Sequence, residues 1–540
     1  MSKRSERLLT ILGQVEDKKI DETADYTPKS SWKRWTALAA ALALVIGVGG
    51  TALFSRMGGN AGAAGHQEGS IFMSYAGPVL PMTLREDNGA VAAQREITLD
   101  FQPWVPVWES VEDMLNDPDR APLTQAEREK LQADLNESYP QGGTYRWSDD
   151  IKVEDSYTLT NGGNTDQTVS VLYPFVSELR YLHENRPTLT VDGEPVETAV
   201  HVGAYPGGFA PAVGDTEHPE DTVNLKELNS WEGYRDLMEH GAYRANALAP
   251  VPNLDQMEVT VYEITLPSVQ PEGHDSNPTT RVTFRYDPEK TTILNGGFHG
   301  FSSNENGSYT LLAGRDSYQN QGKSKTCYLI CLGEELIDLT LDDREQSGWD
   351  ADTPKLDCHP GHVEQYTLGL GQAIDQVMKQ PYQPKAPKGY EELFQRAVWE
   401  WAYRCILQDQ IQRYNYGNLD DVCSDVLHTK RVFWLEREIT IPAGSSVTAA
   451  VSMEKEPSFD FHCAGGKNRN VKGYDMVTTL DSNLNFTEQT ATLKDRGQIE
   501  IVRQNFGFDL ENGVSCVELE TEKPHYYLEV RRQEGTIPES

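Results

Sequence analysis

Cys327-x3-Cys331, followed by Cys358-His359-x2-His362, is the densest group of soft ligands in this chain. Thiolate and imidazole are the ligand types that zinc takes in tetrahedral sites. The spacing matches no familiar finger. If Cys327 and Cys331 lie on a strand, their four-residue offset returns both to one face, where both can simply be buried. A disulfide among Cys327, Cys331 and Cys358 is a third reading. Cys327, Cys331, Cys358, His359 and His362 are therefore metal candidates and not an assignment, and buried thiols are preferred.

Asp342, Asp343, Asp350, Asp352 and Asp357 offer hard oxygen ligands of the kind calcium takes, but without EF-hand order. A solvated acidic loop is the default reading. A hydrolase needs Ser or Cys with His and a carboxylate. No G-x-S-x-G stretch occurs, and the pairs Cys423/His428 and His462/Cys463 are no more than chance neighbours. Gly369-x-Gly371 before AIDQVMKQ lacks the third glycine and the Lys-Ser/Thr ending of a phosphate loop, so it reads as a turn before a helix. Trp104 and Trp108 could form a platform for sugar, though aromatics among prolines more often edge a core. No catalytic residue, metal or cofactor is assigned.

The elements that would position these residues are mostly strands. Val169, Val171 and Tyr173 alternate, as do Val282, Phe284 and Tyr286. Leu189 and Val191 precede Asp192-Gly193, a hairpin signal. Thr326–Gly333 reads as a buried strand. Leu435, Ile439 and Ile441 lead into a Pro-Ala-Gly turn, after which Val447, Ala449, Val451 and Met453 alternate. Tyr526, Leu528 and Val530 repeat the pattern near the end. Helices are expected from Thr124, a capping-box start, to about Leu135, around Leu225–His240, and over Lys388–Tyr414. In the last, Leu393, Ala397, Trp401 and Cys405 form an apolar stripe suited to packing on a sheet. The predicted fold class is mainly β (α+β), with two antiparallel sandwich-like regions and a helical segment between them.

Trp35–Phe54, WTALAAALALVIGVGGTALF, carries no charge. At ~1.5 Å per residue it can cross a hydrocarbon core of roughly 30 Å as a helix. Lys29, Lys33 and Arg34 precede it and Arg56 follows, so the tail is placed in the cytoplasm and the bulk outside. Ala61-Gly62-Ala63 allows a cleaved signal as the rival reading. The long apolar run and its late position favour an uncleaved anchor.

The division predicted is a tail, 1–34; a span, 35–54; a spacer, 55–95; a first β-rich region, 96–380; a helical segment, 381–430; and a C-terminal β-rich region, 431–540. The chain holds 48 basic and 83 acidic residues; residues 1–56 contain 9 and 6 of them, which leaves a net of −38 beyond. Such a body disfavours nucleic acid and anionic lipid. The seven cysteines, all beyond residue 326, form no closely spaced framework, so the core must be mostly hydrophobic.

The tail pattern LLxxLGxVxDKxIxE, the basic stretch and the span resemble uncharacterised single-pass membrane proteins of Clostridia-like Gram-positive bacteria. So do Ser74–Leu84 (SYAGPVLPMTL), Tyr157–Phe175 and Ile439–Val451 (ITIPAGSSVTAAV). The resemblance implies a β-rich extracytoplasmic region and lends no catalytic residue. Some proteins with similar tails act as anti-sigma-like regulators, but this tail lacks the His/Cys zinc pattern common in anti-sigma domains. The expectation is a non-enzymatic, signal-anchored envelope protein with an outer binding or sensing region and an unidentified ligand. The alternatives are a transmembrane regulator whose tail binds a sigma factor, and an envelope hydrolase or metal-dependent enzyme. Leu8, Leu12 and Val15, at helical spacing, would carry a cytoplasmic protein partner.

Overall fold

The computed structural model describes residues 71–532 except 103–105, 116–124, 148, 204–230, 240–252, 268–277, 305–306, 316–323, 345–354, 356–360, 409–416, 463–467, 469 and 481. The predicted span and the tail with Leu8, Leu12 and Val15 lie outside these residues. So do Trp104, Asp350, Asp352, Asp357, Cys358, His359 and Cys463. None of the described helices is long and apolar enough to cross a membrane.

The fold is mainly β, and its sheets are antiparallel apart from one parallel ladder between Val91–Phe101 and Asn485–Asp495. That ladder lies within a seven-stranded sheet, which runs Cys516–Glu518, Asn485–Asp495, Val91–Phe101, Ile151–Asn161, Ser446–Lys455, Thr188–Val191, Glu194–Pro195. Alternate residues on its strands point to one side, since a strand has period two. Ile97, Val153, Leu159 and Val451 thus enter the core, while Gln94, Glu96 and Glu154 face out.

Two smaller sheets share that core. One has five strands: Ile71–Tyr75, Phe459–His462, Lys472–Val477, His525–Arg532, Ile499–Gln504. The other has four: Ala199–Val202, Arg431–Ile441, Gln167–Ser177, Thr83–Leu84. Strands beyond residue 430 therefore pair with strands before residue 203, as Ile439 does with Val169 and Val451 with Asp155. This corrects the predicted division: 431–540 is not a separate region, and 96–380 is not one unit. The predicted spacer is corrected too. Ile71–Leu84 and the strand beginning at Val91 are already built into the sheets. The physical reason is that each strand pattern reports which face is buried and not against which partner.

The Pro-Ala-Gly turn is present, but its flanking strands do not pair with each other. Arg431–Ile441 belongs to one sheet and Ser446–Lys455 to another. Ile151–Asn161 and Gln167–Ser177 make the same crossing beside it. The two crossings are joined by Asn161, fully buried, whose amide donates to the carbonyls of Thr165 (2.8 Å) and Ile441 (3.0 Å). Its oxygen accepts the Gly163 N–H at 2.9 Å. The Asp192-Gly193 hairpin forms as predicted, both residues having the positive φ (50° and 84°) that its tight turn demands.

Between Val202 and Arg431 the chain builds a second unit of two four-stranded sheets. One runs Thr292–Gly296, Lys325–Leu332, Glu258–Leu266, His362–Gly369; the other runs Gly300–Ser303, Tyr309–Gly314, Thr279–Arg285, Ile337–Arg344. Ile264, Cys327 and Leu329 of the first meet Val282, Phe284 and Leu311 of the second in a core of their own. The opposite face of the first sheet, with Val261 and Ile330, joins the main core.

Helices cover that joint. Among the described residues five helices have nine or more residues: α1 (Gln125–Ser138), α2 (Trp231–Glu239), and the three at the joint, α3 (Leu370–Met378), α4 (Glu391–Ala402) and α5 (Leu419–His428). Leu393, Phe394, Ala397, Val398 and Trp401 form the buried stripe of α4. This stripe packs chiefly on α5, where a sheet was expected. The α-helix ends at Ala402, before the predicted Tyr414, and a wider π turn follows over Tyr403–Gln408.

Candidate functional site

Of the metal candidates, the described ones, Cys327, Cys331 and His362, are not brought together. Cys327 and Cys331 share a face, as their spacing predicts, and that face is the core of the second unit. Burial pushes both thiols up to about 12, and the Cys327 thiol donates to the Gly297 carbonyl at 3.3 Å. Register places Ile264 opposite both Cys327 and Val363, so His362 points to the other side of the sheet. His362 is exposed, its Nε2 lying 3.2 Å from Glu364. Cys327, Cys331, Cys423 and Cys516 are free thiols. Among the described residues no group of three or more His, Cys, Asp or Glu is placed to hold a metal ion.

Most of the other candidates among the described residues already have structural roles. Asp342 is paired with Arg344 (2.6 Å) and Lys355 (3.2 Å). Asp343 takes Arg315 (2.7 Å) and the Thr280 hydroxyl (2.6 Å). His428 meets the Ser424 carbonyl at 2.7 Å, while Cys423 is buried. Gly369 and Gly371 sit where a side chain would strike Asp255, so they serve close packing before α3. Trp108 is 41% exposed on a two-stranded ribbon.

A constellation that sequence reading missed lies on the outer face of the five-stranded sheet. On its inner side Tyr474, Met476, Tyr526, Leu528 and Val530 enter the main core. Alternation sends Gly473, Asp475, His525, Tyr527 and Glu529 outward, where α2 covers them. Asp475 and His525 are buried, and His525 Nε2 lies 2.8 Å from Asp475 Oδ2. The Tyr234 hydroxyl of α2 donates to the same oxygen at 2.9 Å. The Tyr234 ring lies over Phe459, centroids 3.9 Å apart and planes inclined by 31°. Beside this group, buried Glu529 accepts from Arg235 of α2 (2.7 Å) and from Arg503. Burial still raises the Glu529 carboxyl, although both cations oppose it. Asp475 Oδ1 and His525 Nδ1 make no hydrogen bond among the described residues.

The leading segment runs along the edge of this constellation. The Ala76 and Gly77 N–H groups both donate to the Ser458 carbonyl, and Val79 N–H donates to Asp475 O. Lys455 Nζ donates to Gly77 O at 2.7 Å and lines a cleft of about 40 Å³ with Pro78, Phe175 and Asp150. Burial of its ammonium pushes Lys455 down to about 8. Further along, the Met82 N–H donates to the Tyr157 hydroxyl. That hydroxyl belongs to a sealed network in which Asp155 binds Arg95 through both oxygens at 2.8 Å and accepts from Tyr157 and Tyr173. On the surface, Glu436 gathers Arg85, Ser170 and His201, with Arg85 the chief cause holding its carboxyl down to about 2.

This arrangement can bind and position. The Ser458 hydroxyl accepts the Asp475 main-chain N–H at 3.1 Å, and among the described residues it makes no hydrogen bond to His525. Asp475 and His525 stand fifty residues apart in sequence. The one local signal was a carboxylate and an imidazole in otherwise apolar strand patterns, KGYDMV and HYYLEV. No protein-family model, curated protein or solved structure matches this chain.

Proposed function

We propose that this protein is a signal-anchored envelope protein whose outer, β-rich body binds or senses a ligand without chemical turnover. The span Trp35–Phe54 and the basic residues before it support the anchor and the orientation. The observation that carries the reading is the way the leading segment is built in. Only residues 55–70 separate the span from Ile71, a reach of at most ~55 Å even when fully extended. From Ile71 to Leu84 the chain is then stitched to the five-stranded sheet, to the four-stranded sheet of the main core and to the Asp155 network. A body so attached is held near a membrane and is strongly acidic. The two cores suit two sandwich-like units, one inserted into the other.

Fractionation tests this reading. The full chain should sediment with membranes, resist alkaline carbonate and be cut by external protease beyond residue 56. Recovery in the soluble fraction after lysis would overturn it. Leu8, Leu12 and Val15 support a cytoplasmic partner for the tail, and a pull-down with residues 1–34 that retains no protein would remove that addition.

A further inference from the structure

We propose that the outer face of the five-stranded sheet is a binding site for a neutral sugar ring, held shut by α2, whose Tyr234 stands in the ring's place. This deepens the reading of the outer body as a binding region and rests on it.

Tyr234 presents what a sugar ring presents to a protein: a flat apolar face and a hydroxyl at its rim. Its face lies on Phe459 and its hydroxyl donates to Asp475. Gly473 makes this possible, because a side chain there would collide with the Phe459 ring. Aromatic platforms with a few convergent polar groups are how concave sites orient such ligands.

The polar groups have capacity that Tyr234 does not use. Asp475 Oδ2 takes both Tyr234 and His525, while Oδ1 takes nothing. His525 meets the carboxylate through Nε2, and its Nδ1 is also unused. Tyr234 has one hydroxyl to give. A sugar has several, and neighbouring hydroxyls, which both donate and accept, can pair with Oδ1 and Nδ1 as well. Buried polar atoms left unpaired cost free energy, so the closed state is under-satisfied and the open, liganded state is not.

Charge selects a neutral ring. The chain beyond residue 56 carries a net of −38, which repels anionic glycans. Of the nearby cations, Arg235 and Arg503 both serve Glu529, and Lys455 donates to the Gly77 carbonyl. The cover itself is short. Trp231–Glu239 is fixed on this face by Tyr234, by buried Met238 and by the Arg235–Glu529 pair.

Tyr234→Ala in the full chain, in detergent, tests this. Thermal shift and calorimetry with maltotriose, cellotriose and chitotriose read sugar binding, and p-cresol reads whether the vacated ring site is intact. At least one trisaccharide should bind Tyr234→Ala tenfold or more tightly than the wild type. Adding Asp475→Asn should lose at least that tenfold. Protection by p-cresol without binding of any trisaccharide would overturn the proposal, as would sugar binding indifferent to Asp475→Asn. If Tyr234→Ala does not fold, Arg235→Ala loosens the cover while leaving the ring in place. It should raise affinity for the same sugars severalfold, and no change would overturn the proposal. A chain recovered as soluble would defeat the anchor alone and leave these titrations to stand or fall separately.

Discussion

Replacing Asp420 with Asn should stabilise this protein at neutral pH. Asp420 sits in the first turn of α5, with Asn418 capping the helix through its N–H at 2.9 Å. Its Oδ2 accepts the Gly297 N–H at 2.7 Å, and its Oδ1 accepts from the Gln383 amide. These bonds fasten the helical layer to the second unit. Burial dominates them and raises the carboxyl from its usual 3.8 to about 6. At ~1.4 kcal/mol per tenfold in proton affinity, that is worth ~3 kcal/mol. The figure is an upper one, because the residue keeps some exposure and solvent screens it. The sign follows from linkage. The folded chain holds this proton where the unfolded chain has released it, so stability from this group is full below pH ~4 and falls as pH rises to ~6.

Asn carries no charge to bury. Its oxygen can keep the Gly297 N–H, and its amide can face Gln383 Oε1, a buried atom now without a partner, once that side chain turns over. Urea unfolding of the full chain in detergent, followed by tryptophan fluorescence, should show the variant up to ~3 kcal/mol more stable at pH 7.5 and nearly equal to wild type at pH 4. A variant less stable than wild type at pH 7.5, with the same pH dependence, would refute the reasoning.

Other outcomes follow from the same geometry. Asn161→Ala leaves the two strand crossings without their shared amide and should cost ~2–4 kcal/mol, read as a lower urea midpoint. Cys327, Cys331 and Cys423 should resist maleimide in the folded chain while exposed Cys516 reacts, as mapped by mass spectrometry. Glu436 acts oppositely to Asp420. Its folded carboxyl is held down to about 2, so its contribution is present above pH ~4.5 and lost as pH falls toward 2. Arg85→Ala should therefore flatten the acid limb of the stability profile.

Much of the local structure was legible. Alternation at Val282 and Phe284, the Asp192-Gly193 turn and the stripe Leu393-Ala397-Trp401 all report short-range rules, and each element forms near where it was expected. The helix α5 went unread because its apolar residues are interleaved with Asp420, Asp421 and Asp425. The candidate site was not legible. Asp475, His525 and Tyr234 come from two strands and a helix, and nothing in their sequence spacing brings them together.

The sequence by itself determined that half-buried strands predominate over helices, that Cys327 and Cys331 share a face, and that an uncharged stretch long enough to span a bilayer precedes an acidic body. Those statements depend on period, composition and length. Tertiary structure alone decided that the strands after residue 430 close sheets begun before residue 203. It also decided that His362 turns away from the cysteines and that Tyr234 lies on Phe459. Strand partners and register are chosen by which apolar faces fit together across hundreds of residues, and a local pattern fixes the face without naming its partner.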